Sequence, residues 1–78
     1  MSNDQMKPNR FLRWHMARRM YAAITQAIAE GYRVQVTTYT TSRIYANLDQ
    51  FRCTKSSVYS QRGRQWDCID GASVRFVA

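Results

Sequence analysis

The sequence predicts an α+β fold: one N-terminal amphipathic helix packed on a three- to five-stranded antiparallel sheet, arranged as a meander. Three observations carry this. Apolar residues recur at helical spacing as far as Glu30-Gly31, the period then falls to two, and the C-terminal part holds two turn signals, Arg62-Gly63 and Asp70-Gly71. At 78 residues the chain has room for one domain, because separate cores need roughly 50 residues each. Residues 1–8 are expected to be a loose polar arm and 9–78 the single α+β domain.

The helix is expected from about Asn9 to Glu30. Leu12, Met16, Met20, Ala23, Ile24, Ala27 and Ile28 fall at three- and four-residue steps, and Trp14, Ala17 and Tyr21 widen the stripe. Alanine and methionine favour helix, and Gly31 supplies the left-handed residue that ends one. His15, Arg18, Arg19, Ala22, Thr25 and Gln26 lie on the opposite, solvent-facing side.

Beyond Gly31, Tyr32, Val34, Val36 and Thr38 alternate with Arg33, Gln35, Thr37 and Tyr39, the pattern of a half-buried strand. Arg43-Ile-Tyr-Ala continues extended after a bend at Thr41-Ser42. Residues 47–55 suit a loop or short helical turn as well as another strand. A two-residue loop at Arg62-Gly63 pairs Tyr59 with Trp66 and sets Tyr59, Trp66 and Cys68 on one face, against the helix. A three-residue connection at Asp70-Gly71 then matches Trp66 with Phe76, Cys68 with Val74, and Asp67 with Arg75 as an ion pair. Val58, Ile69 and Val77 fall on the second face, where a partner protein, a second copy forming a homodimer, or segment 47–55 would cover them.

Charge is the most pronounced bulk property. Twelve cations, all arginine except Lys7 and Lys55, stand against five carboxylates, a net charge of +7. The hydrophobic fraction of 45% excludes a disordered basic tail. No apolar run reaches the roughly 18 residues of a membrane span, and the first residues lack a secretory pattern, so a cytoplasmic location is expected. In a reducing compartment Cys53 and Cys68 read as small buried hydrophobes rather than a disulfide. With one histidine and no CxxC pair no metal is expected, and no cofactor.

Two arginine groups are the candidate functional residues. Arg52, Lys55, Arg62 and Arg64 form a run with no acidic residue between Gln50 and Trp66; arginine there suits bidentate phosphate contacts. Arg10, Arg13, Arg18 and Arg19 crowd the early helix, where the macrodipole prefers negative charge and an anionic partner would use them. Against this, an isolated basic hairpin tip is more often a solvated turn. Tyr39 and Tyr45 could stack on unpaired bases, although tyrosine is an ordinary strand residue. Catalytic motifs are absent, His15 reads as a surface residue, and an enzyme is not expected.

The segment Val58-Tyr-Ser-Gln-Arg-Gly-Arg-Gln-Trp-Asp-Cys-Ile-Asp-Gly-Ala-Ser-Val-Arg-Phe resembles a stretch found in small phage- or prophage-encoded proteins of no assigned activity. The resemblance covers about a quarter of the chain and brings no site residues with it. It implies a compact protein acting in a host cytoplasm on nucleic acid or a host complex, as inhibitors of defence systems such as anti-CRISPR proteins do. The expectation from the residues is a small, basic, non-enzymatic protein that associates with nucleic acid through its arginine groups. The alternative is a phage-type interaction module that docks on a nucleic-acid-handling complex.

Overall fold

The computed structural model describes residues 17–78, together with the backbone of residues 11–12. The arm at 1–8, Lys7, Arg10, Arg13, Trp14, His15, Met16 and the Leu12 side chain lie outside the described residues.

Helix α1 spans Ala17–Ala29 and buries Met20, Ala23, Ile24 and Ala27. Its end follows the glycine signal. Gly31 adopts φ +94°, its N–H donates to the Ile28 carbonyl (3.0 Å), and the Tyr32 N–H donates to the Ala27 carbonyl (2.9 Å). These two bonds satisfy carbonyls the last turn leaves open and turn the chain back toward the core. The expected helix start near Asn9 is corrected: Phe11–Leu12 is a short strand, β1. The backbone of β1 pairs with the edge of a C-terminal strand (Phe11 opposite Arg75, Leu12 opposite Val74), a cover for ladder groups that local helical periodicity could not reveal.

The remaining strands are β2 (Arg33–Thr37), β3 (Ser42–Tyr45), β4 (Phe51–Cys53), β5 (Val58–Arg62), β6 (Gln65–Cys68) and β7 (Ser73–Val77). A 3-10 turn at Leu48–Gln50 precedes β4, so the ambiguous 47–55 stretch holds both a helical turn and a strand. The fold is α+β, with the helix packed on antiparallel strands. Those strands form two sheets: a four-stranded one in the order β1-β7-β2-β3 and a three-stranded meander β4-β5-β6.

Strand β7 is where the expected single meander fails. It leaves β6 and pairs with β2, setting Phe76 opposite Val34 and Val74 opposite Val36. All four side chains are at most 3% exposed, so this pairing closes the core under α1. The expected Cys68–Val74 and Trp66–Phe76 pairs do not form. The Asp67–Arg75 ion pair is likewise absent: Arg75 lies opposite Gln35, and its guanidinium donates to Gln35 Oε1 from Nε (3.1 Å) and Nη2. The β5–β6 turn also sits one residue later than expected, at Gly63-Arg64 with Gly63 at φ +60°. Arg62 then faces Gln65, Gln61 faces Trp66, and Tyr59 faces Cys68.

Tyr45 joins the two sheets. Its ring meets Phe51 of β4 edge-on, centroids 4.9 Å apart, and its hydroxyl lies 3.2 Å from Ser60 Oγ and 3.1 Å from the Gln61 carbonyl oxygen. Tyr45 and Ser60 are both buried, so the polar end of the ring finds partners where water is excluded. Tyr45→Phe keeps the ring contact and strands the Ser60 hydroxyl. We expect it to cost roughly 1–3 kcal/mol in urea unfolding; an unchanged midpoint would show that the hydroxyl does not tie the sheets.

Candidate nucleic-acid interface

The three-stranded sheet has two unlike faces. Val58 (0% exposed) and Ser60 (3%) point inward from β5. Strand geometry alternates, so Tyr59 and Gln61 point outward, and the register adds Arg52 from β4 and Trp66 and Cys68 from β6. The expected grouping of Tyr59, Trp66 and Cys68 on one face holds, because the turn shift moves the register by two residues. The face is the opposite one: α1 covers Val58 and not Trp66. Val58 and Ile69, expected to be covered by a partner protein, a second copy or segment 47–55, are core residues at 0% and 2% exposure, in one cluster with Phe51 of that segment.

On the outer face the Arg52 guanidinium carbon sits 4.1 Å from the centre of the Trp66 ring. This is a cation–π contact on a half-buried tryptophan, with exposed Arg52 covering it. Cys68, expected to be buried, is exposed at the end of β6, while Cys53 is half-buried; both are free thiols.

The run of cations between Gln50 and Trp66 does not form one cluster. Lys55 lies in the β4–β5 connection, closed by Thr54 and Ser57, and Arg64 lies in the β5–β6 turn at the other end of the sheet. Five strand residues separate these ends, roughly 17 Å at the usual rise. Arg62 turns inward and is consumed: its Nε donates to Asp67 Oδ2 at 2.6 Å, its Nη2 to Asp67 Oδ1 at 3.3 Å and to Gln65 Oε1 at 2.7 Å. Arg18 and Arg19 are exposed on α1. Arg18 shares a shallow depression with Tyr21, Ala22, Cys53 and Thr54, next to Lys55. Arg52 therefore lies on the outer sheet face, exposed Lys55 and Arg64 stand at opposite ends of its strands, Arg18 lies by the β4 end of the sheet, and Arg62 belongs to another surface.

That other surface is a cleft of about 450 Å³ between the β2–β3 hairpin and β5–β6, lined by Arg43, Tyr45, Ser60, Arg62 and Asp67 among others. The Asp67 carboxyl sits below the ordinary carboxylate range. The Arg62 hydrogen bond lowers it most, desolvation opposes, and the charges of Arg62 and Arg43 add to the lowering. Asp70, expected to serve its turn, also reaches across to β5, accepting the Val58 N–H at 2.9 Å. Desolvation would raise its carboxyl, but hydrogen bonds from the Val58 N–H and the Ser57 and Cys68 side chains hold it low. Tyr45 is buried in the sheet junction and so is lost as a stacking candidate, while Tyr39 is fully exposed at the β2–β3 turn.

Among the described residues no group of three or more His, Cys, Asp or Glu could hold a metal ion, and no helix is long and apolar enough to cross a membrane. No family model, curated protein or solved structure matches the chain. The sequence reading missed Trp66 and Tyr59 as surface residues. The available signal was the competing pair Val58 and Ile69: aliphatic side chains carry no polar atom, whereas tyrosine and tryptophan tolerate a half-wet face.

Both carboxylates titrate lower in the folded state than in the unfolded chain. Their contribution to stability is therefore complete above the unfolded value, near pH 4, and is lost as pH falls through the folded values. A thermal midpoint that is flat from about pH 7 to 5 and falls below about 4 is expected. Asp70→Ala leaves the Val58 N–H without its acceptor, at a cost of roughly 1–3 kcal/mol, and makes the acid limb shallower. A midpoint as low-pH-sensitive in Asp70→Ala as in the native protein would remove Asp70 from this account.

Proposed function

We propose that the protein is a small, basic, non-enzymatic module that associates with nucleic acid, and that the outer face of β4-β5-β6 is its contact surface. One observation carries the reading. The outward positions of this sheet (Arg52, Tyr59, Gln61, Trp66, Cys68) include no carboxylate, and cations stand at both ends and in the middle. The exposed Lys55 and Arg64 have no carboxylate partner among the described residues. Asp67 and Asp70, which could have neutralised this surface, are engaged by Arg62 and by the Val58 N–H.

Phosphates along a strand laid over this face would meet Lys55, Arg52 and Arg64 in turn. Each neutralised phosphate releases counterions, so affinity should fall with salt at a log–log slope of roughly −2 to −3 for three contacts. Arg64→Glu should weaken binding at every sequence tested and reduce that slope by about 1. Arg62→Gln should leave the slope unchanged, because the Arg62 charge is already spent on Asp67. Fluorescence anisotropy with labelled DNA and RNA at graded salt reads all three. Absence of binding to any nucleic acid at low salt would overturn the proposal and favour the alternative, docking on a protein complex.

A further inference from the structure

We infer that Arg52, held over Trp66, is a stacking seat for an unpaired base, so that the three-stranded face selects single-stranded over duplex nucleic acid. The inference rests on the proposed function and names the form of nucleic acid that the surface takes.

The geometry supplies three elements. Trp66 is fixed by its register opposite Gln61 on the middle strand, and Arg52 reaches it diagonally from β4 across the Tyr59 row. The guanidinium carbon lies over the indole, 4.1 Å from the ring centre, a cation–π contact. Arg52 is nonetheless exposed, so the guanidinium remains accessible to a ligand.

A guanidinium is a flat cation that can stack on a base, with N–H groups around its rim that can donate to a phosphate. Its rotamer is already restrained by the indole, so a ligand does not have to order it on binding. Half-exposed Tyr59 stands beside it as a second aromatic surface. Stacking of this kind tolerates any base, because every base has a π-face, but it requires that the face be accessible. Within a duplex the faces are occupied by neighbouring pairs. Single strands can therefore use both the seat and the flanking cations, and duplexes only the cations.

Arg52→Lys separates the two contributions, since it keeps the charge and removes the plane. With a short labelled oligo(dT) and a blunt duplex of equal length, we expect the native protein to bind oligo(dT) more tightly. Arg52→Lys should lower oligo(dT) affinity roughly tenfold and leave duplex affinity nearly unchanged. Arg64→Glu should weaken both by a similar factor. In a Trp14→Phe background, oligo(dT) should quench Trp66 emission, and the quench should diminish in Arg52→Lys. Circular dichroism of each variant checks that it is folded. A native preference for duplex, or equal losses on both ligands in Arg52→Lys, would overturn the stacking seat and leave the proposed function standing. No binding of either ligand would remove both.

Discussion

The direction in which Val58 and Ser60 face governs the rest of this molecule. Val58 must enter the core under α1, and Ser60 must reach the buried hydroxyl of Tyr45. A strand alternates with period two, so once those two residues point inward Tyr59 and Gln61 have no choice. The tight turn at Gly63-Arg64 carries the constraint to β6, setting Asp67 inside opposite Ser60 and Trp66 outside opposite Gln61. Pairing with β4 extends it to Arg52. A slip of one residue would bury the indole, expose Ser60 and break the link to Tyr45 together. The Arg52–Trp66 contact is thus a consequence of core packing two residues away.

The same packing decides which charges remain available. The inward position of Asp67 brings it within reach of Arg62, and the pair closes as a bidentate contact facing the cleft. Asp70 is drawn to the first N–H of β5 because the Ile69–Ala72 turn, with Gly71 at φ +78°, brings its carboxylate there. The chain has only five acidic residues; two of them are committed to internal roles, and most of the described cations face solvent. Such a surplus disfavours the compact state by self-repulsion and at the same time draws in polyanions. The fold places part of that surplus on the face that also bears the aromatic residues.

What the sequence disclosed follows from the range of the interactions involved. The end of α1 at Gly31, the buried alternation of Val34 and Val36, and a turn within one residue of Gly63 are encoded by neighbours a few positions apart, and they were legible. The partner of β7 was not. Both β2 and β6 offer it apolar residues at the right spacing, and the choice falls on the strand whose Val34 and Val36 complete the helix-covered core. The face of β5 was equally obscure, because Val58-Tyr59-Ser60 presents apolar atoms on both sides. What decides it is Tyr45, fifteen residues away along the chain. Of the candidate site, the cations Arg52, Lys55 and Arg64 were legible as charge, but the spending of Arg62 on Asp67 and the contact of Arg52 with Trp66 depended on that hidden parity.

The two sheets differ most in what their outer faces leave undone. On the four-stranded sheet Gln35 accepts from Arg75 and donates to the Ser42 hydroxyl, which in turn lies 3.2 Å from the Thr37 hydroxyl. That row satisfies itself, and its exposed Ile44 is a single aliphatic side chain of the kind a monomer tolerates. The three-stranded face has no such row. Its arginine rests on a π-surface, an interaction that orients the cation without neutralising it or supplying acceptors for its N–H groups. A guanidinium with five donors gains more from an anion than from the indole alone. Guanidinium donors held over the indole, with exposed cations at both ends of the strands, are the features on which the proposed polyanion contact rests.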